Sequence, residues 1–301
     1  MPVHALTPSA GLPLFGVVVD ENAVHGATDI GVGCPIDARA RGFVVIAAGV
    51  LKITPMRMSA GRAPRFHVAG TISPGSEISL PEGAARHCSV LRLRQGDAVV
   101  IFNGNGGDFS AELTSLSQSG ARIRILSQGH ADRESPLRIV LAQCVASGDR
   151  MDVVLQKSTE LGVYRIVPIA SERSIVRLSR ERAERRIAHW RNVVIAACEQ
   201  CGRNRVPEIT AITALEEFLV DPEADSTRLL LAPDAPMSLK QLPAPRSVTV
   251  LVGPEGGLST IERRLVEESG FVPVRFGPRV LRTETAPLAA IAAMQTLWGD
   301  C

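Results

Sequence analysis

The pattern of apolar positions changes character twice along the chain. Between residues 65 and 128 short runs alternate apolar and polar: "FHVAG" (66–70), "EISL" (77–80), "DAVVIF" (97–102), "DFSAEL" (108–113) and "ARIRIL" (121–126). Each predicts a short strand, and turn clusters such as "NGNGG" (103–107) separate them, so a small barrel or sandwich is expected. One helix interrupts the series at "PEGAARHCSVLRL" (81–93), with Pro81 placed to open it. The polar stretch "HADRESP" (130–136) predicts a linker.

From residue 137 onward strands and helices alternate. "LRIVLAQCVA" (137–146) is a buried strand. "DRMDVVLQKSTELG" (149–162) has helical spacing, with Met151, Val154, Leu155, Ser158 and Leu161 on one face, Asp149 as N-cap and Gly162 as C-cap. "YRIVPIA" (164–170), "TRLLLA" (227–232), "SVTVLVG" (247–253) and "FVPVRFG" (271–277) predict strands. "SRERAERRIAHWRNVVIAACEQ" (179–200), "STIERRLVEESG" (259–270) and "TAPLAAIAAMQTLWG" (285–299) predict helices; Ser259 and Glu262 form a capping-box pair. This order implies an α/β domain around a mostly parallel sheet. Residues 1–57 show no sustained period. They are expected to be an extension, either non-native with a start near Met56 or Met58 or disordered, the alternative being a small ordered element.

Composition narrows the class. The chain has 301 residues, 45% of them apolar, enough for a real core. A formal charge of +2 neither demands nor excludes nucleic acid. Six cysteines in this length do not make a disulfide scaffold. Cys198 and Cys201 form a C-x-x-C with no second pair at zinc-like spacing, so packed thiols in a reducing cytoplasm are expected, with no metal. The apolar run at 42–51 is half of the ~20 residues a spanning helix needs, and the first 20 residues carry no Lys or Arg for a signal peptide. No membrane association is expected.

The candidate chemistry lies in "VTVLVGPEGGLSTIE" (248–262), which reads as strand, glycine loop, helix. Open α/β folds place ligands at such loops. It is neither a G-x-x-x-x-G-K-[ST] nor a G-x-G-x-x-G motif; Pro254 removes an amide donor and Glu255 repels a polyphosphate. The loop suits a neutral or cationic ligand with hydrogen-bonding edges, and S-adenosylmethionine fits. A purely structural turn is the alternative. A second loop, "GPRVLRTETAP" (277–287), gathers Arg279, Arg282 and Glu284 before an apolar helix that Pro287 helps to start.

"VGPEGGLS" followed by "GPRVLRTETA" resembles the SPOUT methyltransferases, and the chain is more narrowly similar to the RsmE family. "PRFHV" (64–68), "HCSVLRLRQGD" (87–97), "RESPL" (133–137), "QKSTELGV" (156–163), "SERSIV" (171–176) and "ACEQCGRNRVPEI" (197–209) agree in order. The likeness covers about residues 58–300 and leaves 1–55 without a counterpart. It implies a PUA-like RNA-binding β-barrel domain (58–132) and a SPOUT α/β domain (137–301) with a C-terminal trefoil knot. It implies a homodimer that transfers methyl from S-adenosylmethionine to N3 of a uridine in 16S ribosomal RNA of the small subunit.

By the resemblance the cofactor contacts are Leu231, Ala232 and Pro233; Gly253, Pro254, Glu255, Gly256 and Gly257; and Val280, Leu281, Arg282, Thr283, Thr285 and Ala286. Candidate proton handlers are Glu199, Glu284 and Glu160, and Arg203 and Arg282 are the groups to polarise the uracil carbonyls. Arg65, Arg92, Lys157 and Arg173 are expected to touch RNA. Lys157 and Glu160 also read as a helix-surface pair, and "RERAERR" (180–186) as a solvated face. Two other functions stay open: an RNA-binding assembly protein with a degenerate cofactor pocket, and a nucleotide-dependent α/β enzyme such as a dehydrogenase, against which the missing dinucleotide fingerprint counts.

Overall fold

The computed structural model describes residues 44–46, 49–51, 63–117, 120–174, 179–220 and 225–301. The chain divides into two compact units, Met1–Thr54 and Pro55–Cys301. In the first, β1 (Val44–Ile46) and β2 (Gly49–Leu51) form an antiparallel hairpin. The expectation for residues 1–57 otherwise lies outside the described residues.

The second unit opens with β3 (Arg65–His67), β4 (Glu77–Ser79), α1 (Glu82–Val90), β5 (Ala98–Phe102), β6 (Asp108–Ser117) and β7 (Gly120–Gly129). They form a five-stranded sheet in the order β3-β5-β6-β7-β4, antiparallel except for the β3–β5 pair. Alternation places Phe109, Ala111 and Leu113 of β6 and Ala121, Ile123 and Ile125 of β7 in one core with Phe66 and Ile101. Two register shifts in β6–β7 bend the ribbon around that core. Helix α1 closes it with Ala85 and Cys88.

Then come β8 (Arg138–Cys144), α2 (Arg150–Glu160), β9 (Arg165–Ala170), α3 (Arg180–Cys201), β10 (Glu208–Ile209), β11 (Thr213–Ala214), α4 (Leu215–Val220), β12 (Thr227–Leu231), β13 (Ser247–Val252), α5 (Thr260–Glu268), β14 (Val272–Val274) and α6 (Thr285–Trp298). The sheet order is β10-β9-β8-β13-β12-β14, with β11 also on β9, and every pair is parallel. One core, including Ile139, Leu141, Val250, Met151, Val154, Trp190, Ile291 and Met294, fills the side covered by α2, α3 and α6. A second, including Val140, Leu251, Phe218, Val266 and Phe271, fills the side covered by α4 and α5. Burial on both faces explains why β8 and β13 read as continuous apolar runs.

The caps were legible in part. Ser259 accepts from the Glu262 amide at 3.3 Å while the Glu262 carboxylate takes the Ser259 amide at 2.8 Å, a complete capping box. Gly162 has φ +84°, the left-handed geometry a helix end needs. Asp149 stands at the N-cap of α2 but makes no capping bond; its backbone is already helical there.

The linker is pinned. The Arg203 guanidinium donates to both carboxylate oxygens of Glu134, and Ser135 Oγ donates to Gln295 at 2.7 Å. Asn204 donates to the Ala131 carbonyl, and the "NGNGG" turn bridges onto Arg205 through Gly104 and Asn105. The β-rich part is thereby fastened to the end of α3.

Candidate functional site

The parallel strands β12 and β13 deliver two loops to one edge of the sheet, and the chain after β14 brings a third. Together they enclose a cavity of about 720 Å³, within the roughly 300–1,000 Å³ range of small-molecule sites. Thirteen of the expected cofactor residues line it: Leu231, Ala232, Pro233, Gly253, Pro254, Glu255, Gly256, Gly257, Val280, Leu281, Arg282, Thr283 and Ala286. Thr285 does not; it opens α6, its amide bonded to the Arg282 carbonyl at 2.9 Å. Leu230, Val252, Leu258, Val274 and Phe276 add apolar wall.

The glycine loop is a tight turn. The Gly257 amide donates to the Pro254 carbonyl at 2.9 Å, and Gly257 has φ +66°, a conformation costly for any residue with a Cβ. Thr283 ties the loops together: its hydroxyl donates to the Gly253 carbonyl at 3.0 Å and accepts from the Gln143 amide at 3.3 Å. Gln143 is fully buried in β8, and its side-chain oxygen has no partner among the described residues.

Charge converges at the mouth. A single Glu255 oxygen accepts from the Ser147 amide (2.9 Å), the Ser147 hydroxyl (2.8 Å) and Arg150 (2.9 Å). Partial burial pushes this carboxyl up, but these donors outweigh it and hold it at about 2. Arg150 also stands 3.9 Å from Glu284, which Arg282 approaches to 4.0 Å from the other side. Arg150 therefore bridges the glycine loop and the Arg282–Glu284 loop. Sequence reading missed it, because an arginine in the first turn of a helix looks like any solvated surface residue. It also missed the Asp234–Arg263 pair on the wall, 2.6 Å apart, which draws the Asp234 carboxyl down.

Arg173, expected at RNA, reaches the same loop and donates to the Gly256 carbonyl at 2.9 Å. Lys157 and Glu160 are an ion pair on α2 at 2.8 Å. Arg92 is exposed at the end of α1. Arg65 corrects the expectation of an RNA contact: it is only 6% exposed, bonded to Asn204, 3.6 Å from Asp108 and stacked on Phe102. It serves the seam between the two sheets.

Glu199 and Arg203, expected among the reacting groups, line no part of the cavity. Glu199 accepts from the His67 amide at 2.9 Å across the seam, and burial pushes its carboxyl up. Arg203 is buried, with donors spent on Glu134 and on the carbonyls of Thr159 and Val163, both 2.9 Å away. Within this chain it is a latch.

Residues 133–295 match the model of an RNA methyltransferase domain, and residues 80–126 that of an RNA methyltransferase PUA domain. The ribosomal RNA small subunit methyltransferase E of Buchnera aphidicola is 34% identical over 241 residues, covering 79% of this chain and 98% of its own. The chain belongs to the RsmE family of RNA methyltransferases. An RsmE structure from Neisseria gonorrhoeae, bound to S-adenosyl methionine, shares 45% identity with a TM-score of 0.75, covering 79% of this chain and 99% of that one. A Legionella pneumophila structure in complex with the same cofactor shares 39% identity with a TM-score of 0.77, covering 80% of this chain and 100% of that one. The walls of the cavity described above are the loops that carry the family motifs.

Proposed function

We propose that this RsmE-family protein methylates N3 of a uridine in the RNA of the small ribosomal subunit, with S-adenosylmethionine as donor. The observation that carries this reading is the convergence of the three motif loops on one cavity. The residues present fit the donor. Apolar side chains offer a wall for a flat ring, loop backbone offers hydrogen-bonding edges, and the Gln143 oxygen is a spare acceptor beside Thr283. Glu255, whose carboxyl its donors hold well below the usual carboxylate range, adds negative charge suited to a cation. When bound, S-adenosylmethionine supplies an electrophilic methyl group on a sulfonium.

The chain's own task is to present N3 and manage one proton. Neutral N3 is a poor nucleophile and lies inside a base pair, so the uridine must be single-stranded or turned out of its helix. Arg282, its side chain 83% exposed at the mouth, is free to polarise a uracil carbonyl and stabilise the N3 anion. Glu284, held between Arg150 and Arg282, accepts the proton directly or through water. Arg173 braces the glycine loop from behind.

Three finer readings belong to the same proposal. The protein works as a homodimer, a reading favoured by the mostly apolar α6, on which Leu297 is 43% exposed. The C-terminal segment is knotted as in SPOUT domains; in support, it leaves the edge strand β14 and returns to the ends of β8 and β13 through Thr283. The protein is cytoplasmic: the five described cysteines are free, and no described helix is long and apolar enough to cross a membrane.

Titration calorimetry with S-adenosylmethionine and methyl transfer to small subunits test the reading together. Arg282→Ala should cut turnover about 100-fold or more, the scale of losing one charge-stabilising donor, while leaving cofactor affinity within about twofold, because its guanidinium is at the mouth. Equal losses in both would place Arg282 at the cofactor. No cofactor binding by folded wild-type protein would favour the assembly-protein reading.

A further inference from the structure

Among the described residues one non-glycine has a positive φ: Arg92, at +56°. It follows α1, whose end is closed by the Arg92 amide on the Ser89 carbonyl and the Leu93 amide on the Cys88 carbonyl, both at 3.0 Å. Glycine is the usual residue in such a closing turn. A side chain there is crowded by the adjoining backbone, so arginine destabilises the turn relative to glycine. Nothing inside the fold offsets this: the Arg92 side chain is exposed and has no partner among the described residues.

Its neighbours share the anomaly. Val90 is 73% and Leu91 45% exposed. Arg94 is exposed too; only its backbone is engaged, the amide donating to Asp97 at 2.7 Å. The acid on the exposed side of α1, Glu82, is already paired with Arg86 at 2.8 Å. Two aliphatic side chains and two unpaired guanidiniums thus share one turn, held in place by Ala85 and Cys88 in the core beneath. Strain and exposed apolar surface gathered at one spot suggest a contact made outside the fold.

We propose that the Val90–Arg94 turn is an RNA-docking tip that grips ribosomal RNA away from the methylated nucleotide. Arg92 and Arg94 take phosphates, and Val90 and Leu91 lie against a sugar or base face. Two exposed guanidiniums without a carboxylate partner match a polyanion, although the Asp97 carboxylate sits on the Arg94 amide, and guanidinium suits phosphate geometry. The inference rests on the proposed activity toward small-subunit RNA and adds where that RNA is held.

The test separates binding from methylation. Arg92→Gly removes the side chain and the strain together. Its melting temperature should equal or exceed that of the wild type. Its affinity for small subunits and for protein-free 16S RNA should fall about fivefold, and the slope of log affinity against log salt should shrink by about one. Turnover at saturating subunits and S-adenosylmethionine affinity should be unchanged. Arg92→Lys should recover part of the affinity, and Leu91→Ser should weaken binding without changing the salt slope. Unaltered affinity and salt slope in Arg92→Gly/Arg94→Ala would overturn the tip, as would a wild type that binds neither RNA form. Loss on subunits but not on protein-free RNA would overturn it in favour of a ribosomal protein. Failure of methylation with RNA binding intact would instead strike the proposed activity.

Discussion

Arg203 offers the sharpest division between what its motif suggests and what its surroundings do. It is 4% exposed, pairs with Glu134 through two hydrogen bonds, and holds the carbonyls of Thr159 and Val163. In Arg203→Ala the Glu134 carboxylate, 19% exposed, loses its partner. Breaking a buried pair from one side typically costs about 3–5 kcal/mol, most of it the stranded charge. For a body of this size each kcal/mol moves the melting point by about 2–4 °C, so a fall of roughly 6–20 °C is expected. Arg203→Lys should recover only part, since an ammonium cannot span both carboxylate oxygens and two carbonyls. The assay is thermal unfolding by circular dichroism beside methyl transfer at 20 °C, where the variant remains folded. Residual turnover within about tenfold of wild type, k = (kBT/h)exp(−ΔG‡/RT) giving tenfold per 1.36 kcal/mol, fits a latch. A melting point within 2 °C of wild type together with turnover lost by about 1,000-fold or more would refute the argument and return Arg203 to the chemistry.

Three other outcomes follow from the same geometry. Glu255 has its carboxyl held at about 2, below the usual range, so its contribution is fully present above pH 4.5 and is lost as pH falls toward 2; the gap in melting temperature between wild type and Glu255→Gln should be constant from pH 8 to 5 and close below that, and a gap that closes near neutrality would contradict it. Burial pushes the Cys88 thiol up to about 11 and Cys144 and Cys198 up to about 12, so maleimide mapped by mass spectrometry at pH 7.5 should mark Cys301 and Cys201 and spare those three; rapid labelling of Cys198 in the folded protein would show that the α3 seam opens. Ser259→Ala should cost about 1 kcal/mol, whereas Glu262→Ala should cost more, because that carboxylate also takes the Glu172 amide at 2.7 Å; equal melting points for the two would mean that this second bond contributes nothing.

Local features were legible in the sequence wherever a local rule governs them. Alternation in β6 and β7, the Ser259–Glu262 box and the left-handed Gly162 depend on neighbours a few residues away, and they read correctly. The two-residue strands β10 and β11 and the short α4 carry too few residues for any period, and they went unread. The order of the parallel sheet is set by pairing across long separations, with β13 between β8 and β12, and no local pattern encodes it. The site divides in the same way. Its loops announced themselves by glycine and motif, but the Arg150 bridge joins residues 105 and more apart. Arg65 misled for the opposite reason: arginine is usually on the surface, and only the fold shows Asp108, Asn204 and Phe102 gathered around this one.

The last helix carries an obligation for synthesis. Protein chains emerge amino end first, so β8 leaves the ribosome with β9 soon behind it, while its other neighbour, β13, is still unmade. Even then the floor of the core stays open until α6 arrives with Ala290, Ile291 and Met294, and Gln295 locks it by bonding Ser135 and Leu161. A nascent chain that stops short of β13 exposes an unpaired edge of β8, and one that stops short of α6 exposes an apolar floor, the two kinds of surface that invite aggregation. Until α6 has packed, the chain thus depends on whatever shelters unfinished chains at the ribosome's exit.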